Sequence, residues 1–125
     1  MSQKLGFLSG FIALEQFDIN SGDAEFIRKL DRIVTKHISD DSFSVKVLEE
    51  ELGMSHTTLN RRMSSVMNTT PVEYIKTKRL AVALHLLKKK GVTPSEVCYR
   101  VGFNSPSYFT KCFKEAYGCL PSEIG

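Results

Sequence analysis

The sequence predicts an all-α fold in which two similar subdomains, each a pair of helices around a tight turn, are joined by a long central linker helix. About seven helices are expected in total. Three observations lead to this prediction. Apolar residues recur at helical spacing along most of the chain. Serine, threonine and proline stand where helices would begin, and glycine or asparagine where they would end. The second half of the chain also repeats the first at an offset of about 50 residues.

Length and composition limit the class of protein. A chain of 125 residues suits one domain, which excludes a large enzyme, and its 42% hydrophobic residues suffice for a packed core. The three cysteines form an odd set without a C-x-x-C pair, so neither a disulfide framework nor a zinc ribbon is indicated, and a reducing cytoplasm is the expected location. Residues 5–14 are apolar but only about half as long as the ~20 residues of a membrane span. We expect residues 1–20 to form a flexible or loosely docked lead-in from an upstream domain.

The first half of the chain contains three predicted helices. The apolar positions of the first helix are Phe26, Ile27, Leu30, Ile33, Val34 and Ile38. It starts after Ser21 or Asp23 and stops at the polar break of residues 39–41. Ser44 caps the second helix, which stops at Gly53, and Ser55 caps the third, which runs to about residue 67.

The second half begins with the linker helix, which Thr70 and Pro71 open and which is predicted to run to about residue 90. After it, Thr93 and Pro94 open a short helix that Gly102 ends. Ser105 and Pro106 then open a helix that Gly118 closes, and Pro121 starts a last short one. A proline at the first position of a helix costs no hydrogen bond, because that N–H has no partner within the helix.

Aligning the two halves makes the repeat explicit. Ser44 pairs with Thr93 and Gly53 with Gly102 at an offset of 49; after one inserted residue, Ser55 pairs with Ser105 at an offset of 50. A short helix, a glycine turn and a second helix with a serine cap form a helix-turn-helix. The sequence therefore predicts one such unit at about 44–67, the linker helix at about 71–90 and a second unit at about 93–117, within one domain at 21–125.

Charge is segregated along the chain, although the net charge is only +3. Residues 55–114 contain eleven Lys or Arg and two Glu, a balance of +9, so the remainder has a balance of −6. Such a separation suits a polyanionic partner.

These residues resemble the AraC/XylS-type bacterial transcription regulators. The likeness covers about residues 26–124 and is densest in VCYRVGFNSPSYFTKCFKEAYGCLPSEI at residues 97–124; LGMS at 52–55 and Arg79-Leu80 also fit the family pattern. The resemblance implies a DNA-binding output domain whose regulatory half is missing here. It also implies two helix-turn-helix lobes that a long helix holds in fixed relation.

The sequence departs from the family pattern at several positions. Glu49 stands where a small alanine normally packs, so we expect a wider helix crossing or a carboxylate that leans into solvent. Met63 replaces a usual Phe, and Ser64-Ser65 replace a commonly basic neighbour, so we expect a first half that is less tightly packed and less strongly held to phosphate.

A recognition helix places its N-terminal turns in the major groove of DNA, which identifies candidate contact residues. The predicted base-contacting residues are His56, Thr57, Asn60, Arg61, Ser107, Tyr108, Thr110 and Lys111. The predicted phosphate-contacting residues are Ser55, Arg62, Lys78, Arg79, Ser105 and Lys114. Arg61 is the best candidate for a bidentate contact with guanine, and Asn60 for a pair with adenine. Lys78 is expected to point outward, whereas a structural role between the lobes and a phosphate contact are both open for Arg79.

Other functions are weighed against DNA binding. The three histidines lie on separate predicted helices without metal-ligand spacing to a Cys, Asp or Glu, so neither an enzyme nor a metal site is expected, and no cofactor is implied. The alternative is a helical protein-interaction module whose basic face binds an acidic partner. Double-stranded DNA is the expected partner, with RNA polymerase a further candidate. Two reading heads would permit binding as a monomer, whereas the family often dimerises through the domain absent here.

Overall fold

The computed structural model describes residues 21–124, and within that range it contains six α-helices, a short 3₁₀ helix and no β-strand. In chain order the elements are α1 (Ser21–Lys36), α2 (Val45–Leu52), α3 (His56–Met67), α4 (Pro71–Leu87), α5 (Pro94–Arg100), α6 (Pro106–Tyr117) and the 3₁₀ helix Pro121–Glu123. The predicted all-α fold class is confirmed. The prediction for residues 1–20 lies outside the described residues.

Side-chain caps begin most of the helices after α1. The hydroxyls of Ser55, Thr70, Thr93 and Ser105 each accept a hydrogen bond from the backbone N–H three residues later, at 3.1 to 3.3 Å. Each bond satisfies one of the N–H groups that a helix start leaves unpaired. Ser44 occupies the same position before α2, but its side chain makes no capping hydrogen bond.

The linker helix α4 ends at Leu87, three residues before its predicted end. Lys88 is the C-cap residue, and Lys88 to Lys90 lie exposed in the turn before Gly91, which has a φ of +83°. The last buried residue of the helix is Leu87, so packing stops there and the three lysines extend into solvent. The sequence predicts a longer helix because lysine has a high helix propensity, but the packing that stabilises the helix ends at Leu87.

Two hydrophobic cores divide the described chain into lobes. We call α1, α2 and α3 the first lobe, and α5, α6 and the 3₁₀ helix the second lobe. The first core contains Phe26, Ile27, Leu30, Ile33, Val34, Phe43, Leu48, Leu52, Leu59, Met63, Met67, Tyr74 and Ile75. The second contains Leu80, Ala83, Leu87, Val97, Cys98, Val101, Phe103, Phe109, Cys112 and Phe113. Helix α4 contributes its N-terminal half to the first core and its C-terminal half to the second, and so fixes one lobe relative to the other.

The helices of residues 21–124 are all too short or too polar to cross a membrane.

Candidate nucleic-acid interface

Helix α3 presents most of the predicted contact residues of the first lobe on one exposed face. Leu59, Met63 and Met67 are buried on the opposite side. Ser55, His56, Thr57 and Arg61 are exposed, and Asn60 is half-buried. The helix starts at His56, so these residues occupy its first turns, the part of a recognition helix that enters the major groove. The arrangement leaves polar side chains projecting from a rigid, well-packed helix.

A polar cluster covers the start of α3. Nδ1 of His56 lies 2.7 Å from Oε2 of Glu49 on α2, and Nδ2 of Asn60 donates to the backbone carbonyl of His56 at 2.8 Å. The same Asn60 nitrogen is 3.4 Å from both ring nitrogens of His56, so the amide lies against the ring. The expectation that the Glu49 carboxylate leans into solvent is wrong, because the side chain is 18% exposed and paired with His56. The wider helix crossing stays a prediction.

Arg62 is directed toward α1. Its guanidinium lies 4.4 Å from the centre of the Phe26 ring, and its Nη2 is 3.5 Å from Oδ1 of Asp23 and 3.3 Å from the carbonyl of Gly22. A guanidinium that stacks on an aromatic ring and pairs with a carboxylate contributes to the docking of two helices. The predicted phosphate contact of Arg62 competes with these interactions. The sequence alone does not predict these interactions of Arg62, since Phe26 lies 36 positions before it.

Helix α6 is the counterpart of α3 in the second lobe. Phe109, Cys112 and Phe113 are buried against the second core. The exposed residues among the predicted contacts are Ser107, Tyr108, Lys111 and Lys114, while Ser105 and Thr110 are half-buried. Tyr108 is turned toward Phe103, with 6.1 Å between ring centres. It therefore lies at the edge of this face, beside the junction between the lobes.

The prediction that Lys78 points outward is wrong. Lys78 is 8% exposed, and its Nζ lies 2.5 Å from Oδ1 of Asp31 on α1. The Tyr74 hydroxyl also donates to that Asp31 oxygen, at 3.4 Å. Helix α4 packs against both lobes, so a residue that faces away from the second lobe faces α1 rather than solvent. Lys78 consequently acts as an anchor between two helices instead of a free phosphate contact.

Arg79 connects the lobes. Its Nη2 donates to the carbonyl of Asp40 at 2.8 Å, and burial lowers the pKa of its guanidinium. Its Nε is buried without a hydrogen-bond partner. The guanidinium also lies directly against Gly102, the turn residue of the second lobe. Of the two roles left open by the sequence, these contacts favour the structural one.

A cleft of about 420 Å³ lies beside Arg79, between the lobes. Phe43 and Val45 from the first lobe, Ile75 from α4, and Phe103 and Tyr108 from the second lobe form much of its wall. The cleft marks the place where the two lobes meet without merging their cores. Within residues 21–124, no three or more His, Cys, Asp or Glu side chains are grouped to hold a metal ion.

Comparison with known proteins gives a match to a family model described as a helix-turn-helix domain, over residues 48–124. The chain is 36% identical over 112 residues to a protein called histidine kinase P4 from Formosa agariphila. The matched region covers 90% of this chain and 8% of that protein. The chain spans less than half the length of the first curated relatives it matches.

Two solved structures share the fold. The DNA-binding domain of AdpA, described as a global transcriptional factor and solved in complex with a target DNA, is 28% identical with a TM-score of 0.70, covering 75% of this chain and 84% of that one. A transcriptional regulator from Chromobacterium violaceum, described as having an AraC-type DNA-binding domain, is 21% identical with a TM-score of 0.75. The matched region covers 83% of this chain and 92% of that one. At that identity the second likeness shows the fold alone.

Proposed function

The chain belongs to the AraC-type helix-turn-helix family, and from this premise we propose that it is the sequence-specific DNA-binding output domain of a bacterial transcription regulator. In this proposal α3 and α6 enter successive major grooves of double-stranded DNA. Each supplies base contacts from its first two turns, and the surrounding basic residues contact phosphates. Such an activity requires the compartment that holds the chromosome, which is the bacterial cytoplasm.

The length of the helix that joins the two lobes supports the proposal most directly. Helix α4 has 17 residues, which at 1.5 Å per residue gives a rod of about 25 Å. Successive major grooves on one face of DNA are about 34 Å apart. The anchors on α4, Lys78 to Asp31 and Arg79 to the Asp40 carbonyl, hold this rod against the first lobe. We propose that a rod of this length holds the two recognition helices far enough apart to reach the same face of one duplex.

The proposed contact residues divide by chemistry. Arg61 has a planar fork of donors that matches the two acceptors of guanine, whereas Lys111 at the aligned position of the second lobe offers a single charged group. We propose that His56, Thr57 and Asn60, together with Ser107, Thr110 and Tyr108, add further base contacts. Ser55, Ser105 and Lys114 remain the proposed phosphate contacts, because the other three predicted ones are engaged within the protein.

The regulator as a whole is proposed to be larger than this domain. The small share of its relatives' length that the chain spans suits a control domain located elsewhere in a longer protein. Such a domain would receive the signal and would provide any dimer contact. RNA polymerase is a proposed partner of the DNA-bound form.

Selection of duplexes from a random library tests the function. We expect the domain to enrich a site with two conserved blocks about one helical turn apart. Binding to the enriched duplex should weaken with salt at about 0.9 log units of affinity per log unit of salt for each phosphate contacted. If basic side chains of the two lobes neutralise about five phosphates in all, the slope would be about −4 to −5.

Failure to enrich any sequence, together with binding that does not respond to salt, would sink the DNA-binding proposal. Competition between the duplex library and an acidic protein at low salt then separates the alternative function. A helical protein-interaction module would prefer the protein and would show no preference among duplexes.

A further inference from the structure

The contact between Glu49 and His56 crosses from a helix that supports the recognition helix to the first residue of the recognition helix itself. Oε2 of Glu49 lies 2.7 Å from Nδ1 of His56. The two side chains differ in exposure, since that of Glu49 is 18% exposed and that of His56 is 75% exposed. Glu49 therefore holds the Nδ1 side of the imidazole ring against α2, and the rest of the ring projects into solvent where DNA would lie.

We infer that Glu49 is a positioning residue that sets the base preference of His56 without touching DNA. This inference deepens the proposed DNA-binding function and rests on it. Glu49 determines which nitrogen of the ring carries the proton, and so determines whether the exposed nitrogen accepts or donates a hydrogen bond.

The reasoning follows from the chemistry of the two groups. An ionised carboxylate accepts hydrogen bonds and donates none, so at 2.7 Å the proton between the groups belongs to Nδ1 of His56. A neutral imidazole with its hydrogen on Nδ1 has a lone pair on Nε2. In the major groove this acceptor matches the amine of cytosine or adenine. The other neutral tautomer, with its hydrogen on Nε2, is a donor there and matches guanine O6 or N7 instead.

The surroundings of the ring hold it in place. Glu49 on α2 provides the charged group recorded in contact with the ring, and Asn60, which is neutral, lies against it from one turn along α3. Asn60 is itself fixed by its bond to the His56 carbonyl. These contacts hold the ring with Nδ1 toward Glu49.

A second histidine and carboxylate pair in the same lobe provides a matched control. Nε2 of His37 lies 2.6 Å from Oε2 of Glu51, and the His37 ring stacks on Phe43 with 4.7 Å between centres. The hydrogen bond from His37 lowers the pKa of Glu51. This pair belongs to the packing of α1 on α2, away from the first turn of α3. Glu51→Gln makes the same chemical change as Glu49→Gln two residues along one helix, and should leave base preference intact.

The test measures base preference position by position. Duplexes carrying each base at every position of the selected site are competed for wild-type domain, Glu49→Gln and Glu51→Gln. For wild-type protein and for Glu51→Gln we expect one position to prefer an amine-bearing base by about three- to ten-fold, the range of a single hydrogen bond.

In Glu49→Gln the amide either donates or accepts, so the tautomer is no longer imposed, and the preference at that position should fall to within about two-fold. His56→Ala should remove the same preference, and adding Glu49→Gln to it should change nothing further. Circular dichroism of each variant establishes that it is folded.

An unchanged preference in folded Glu49→Gln would overturn the inference, as would an equal loss at every position, which indicates a general packing defect. Loss of preference in Glu51→Gln as well would overturn it too. If wild-type protein enriches no site at all, the DNA-binding proposal itself fails and takes this inference with it, a result that the variants cannot mimic.

Discussion

The glycine turns of the two lobes occupy equivalent positions in the repeat but very different surroundings. Gly53 and Gly102 both adopt positive φ, at +67° and +93°, which side chains disfavour. A Cβ atom added at Gly53 would meet nothing within 4 Å. At Gly102 it would clash with the backbone carbonyl oxygen of Ile38 and lie 2.8 Å from Nε of Arg79. The first turn needs glycine for its backbone angle alone, and the second needs it for space as well.

The lobes also differ in what surrounds their cores. Polar pairs bind the helices of the first lobe to one another, among them His37 with Glu51, Glu49 with His56 and Arg62 with Asp23. The second lobe has a ladder of aromatic rings, from Phe103 through Phe109 and Phe113 to Tyr117, with ring centres 4.8 to 5.9 Å apart. Similar local sequence patterns thus specify similar helices, while the long-range contacts that stabilise each lobe are of different kinds.

Substitution of the two turn glycines should give the largest contrast between the lobes. We expect Gly102→Ala to lower the free energy of unfolding by at least about 3 kcal/mol, because strain at positive φ adds to a clash with a backbone carbonyl. Gly53→Ala should cost about 1 to 2 kcal/mol, the backbone term alone. Urea denaturation measures both, and equal losses would contradict the different roles assigned to the two turns.

Two lysines, one buried against the first lobe and one exposed on the second, should separate stability from DNA binding. Lys78→Met removes the ion pair with Asp31, whose carboxylate still accepts from the Tyr74 hydroxyl. Since the Asp31 side chain is 40% exposed, we expect a loss of about 1 to 3 kcal/mol in the free energy of unfolding, less than for a fully buried pair. The salt slope of the Lys78→Met variant for DNA binding should equal that of the wild-type domain. Lys114→Met should leave stability within about 0.5 kcal/mol and reduce the salt slope by about 0.9. The opposite pattern would restore Lys78 as a phosphate contact.

Arg61 and Lys111 occupy equivalent positions on α3 and α6, so they compare base reading by the two lobes. Arg61→Ala should cost about 1 to 3 kcal/mol on the selected duplex and relax the preference at one base position. Lys111→Ala should cost about 1 kcal/mol or less and relax its position less, because an ammonium group does not form a fork. Titration against selected and scrambled duplexes measures this; equal weakening on both duplexes by Arg61→Ala would make Arg61 a phosphate contact.

The caps of the first helix in each helix-turn-helix should give the smallest contrast. Thr93 forms a reciprocal capping box with Glu96. The Glu96 backbone N–H donates to the Thr93 hydroxyl at 3.1 Å, and the Thr93 backbone N–H donates to the Glu96 carboxylate at 3.0 Å. Thr93→Ala should therefore cost about 1 kcal/mol of stability. Ser44→Ala should cost no more than about 0.3 kcal/mol, since the Ser44 side chain makes no capping bond. Thermal unfolding of the two variants side by side decides whether this difference holds.

Local signals explain how much of the fold the sequence could predict. Caps, prolines and glycine turns act within four residues, so the starts at Ser55, Thr93 and Ser105 could be read directly. Lys78 could not be placed this way, because buried residues surround α4 on several sides and no single apolar stripe defines an outward face.

The candidate contact surface shows the same limit. The exposure of Arg61 and Lys111 follows from the helical period, but the engagement of Arg62 with Phe26 and Asp23 depends on how α1 docks against α3. A signal for the Glu49 contact did exist. Glu49 is acidic where the family pattern has a small residue, and it stands seven positions before His56, across the turn at Gly53. This spacing places the two side chains within reach of each other. The base and phosphate contacts themselves stay predictions.

The division of α4 between the two cores has a consequence for cooperativity. Tyr74 and Ile75 belong to the first core, and Leu80, Ala83 and Leu87 to the second, along one uninterrupted helix. Neither lobe can unfold without removing the support of half of this helix, and a half-helix of about eight residues is too short to persist alone in water. The domain is therefore expected to unfold as a single unit, with the backbone amides near the middle of α4 exchanging their hydrogens only when the whole chain opens.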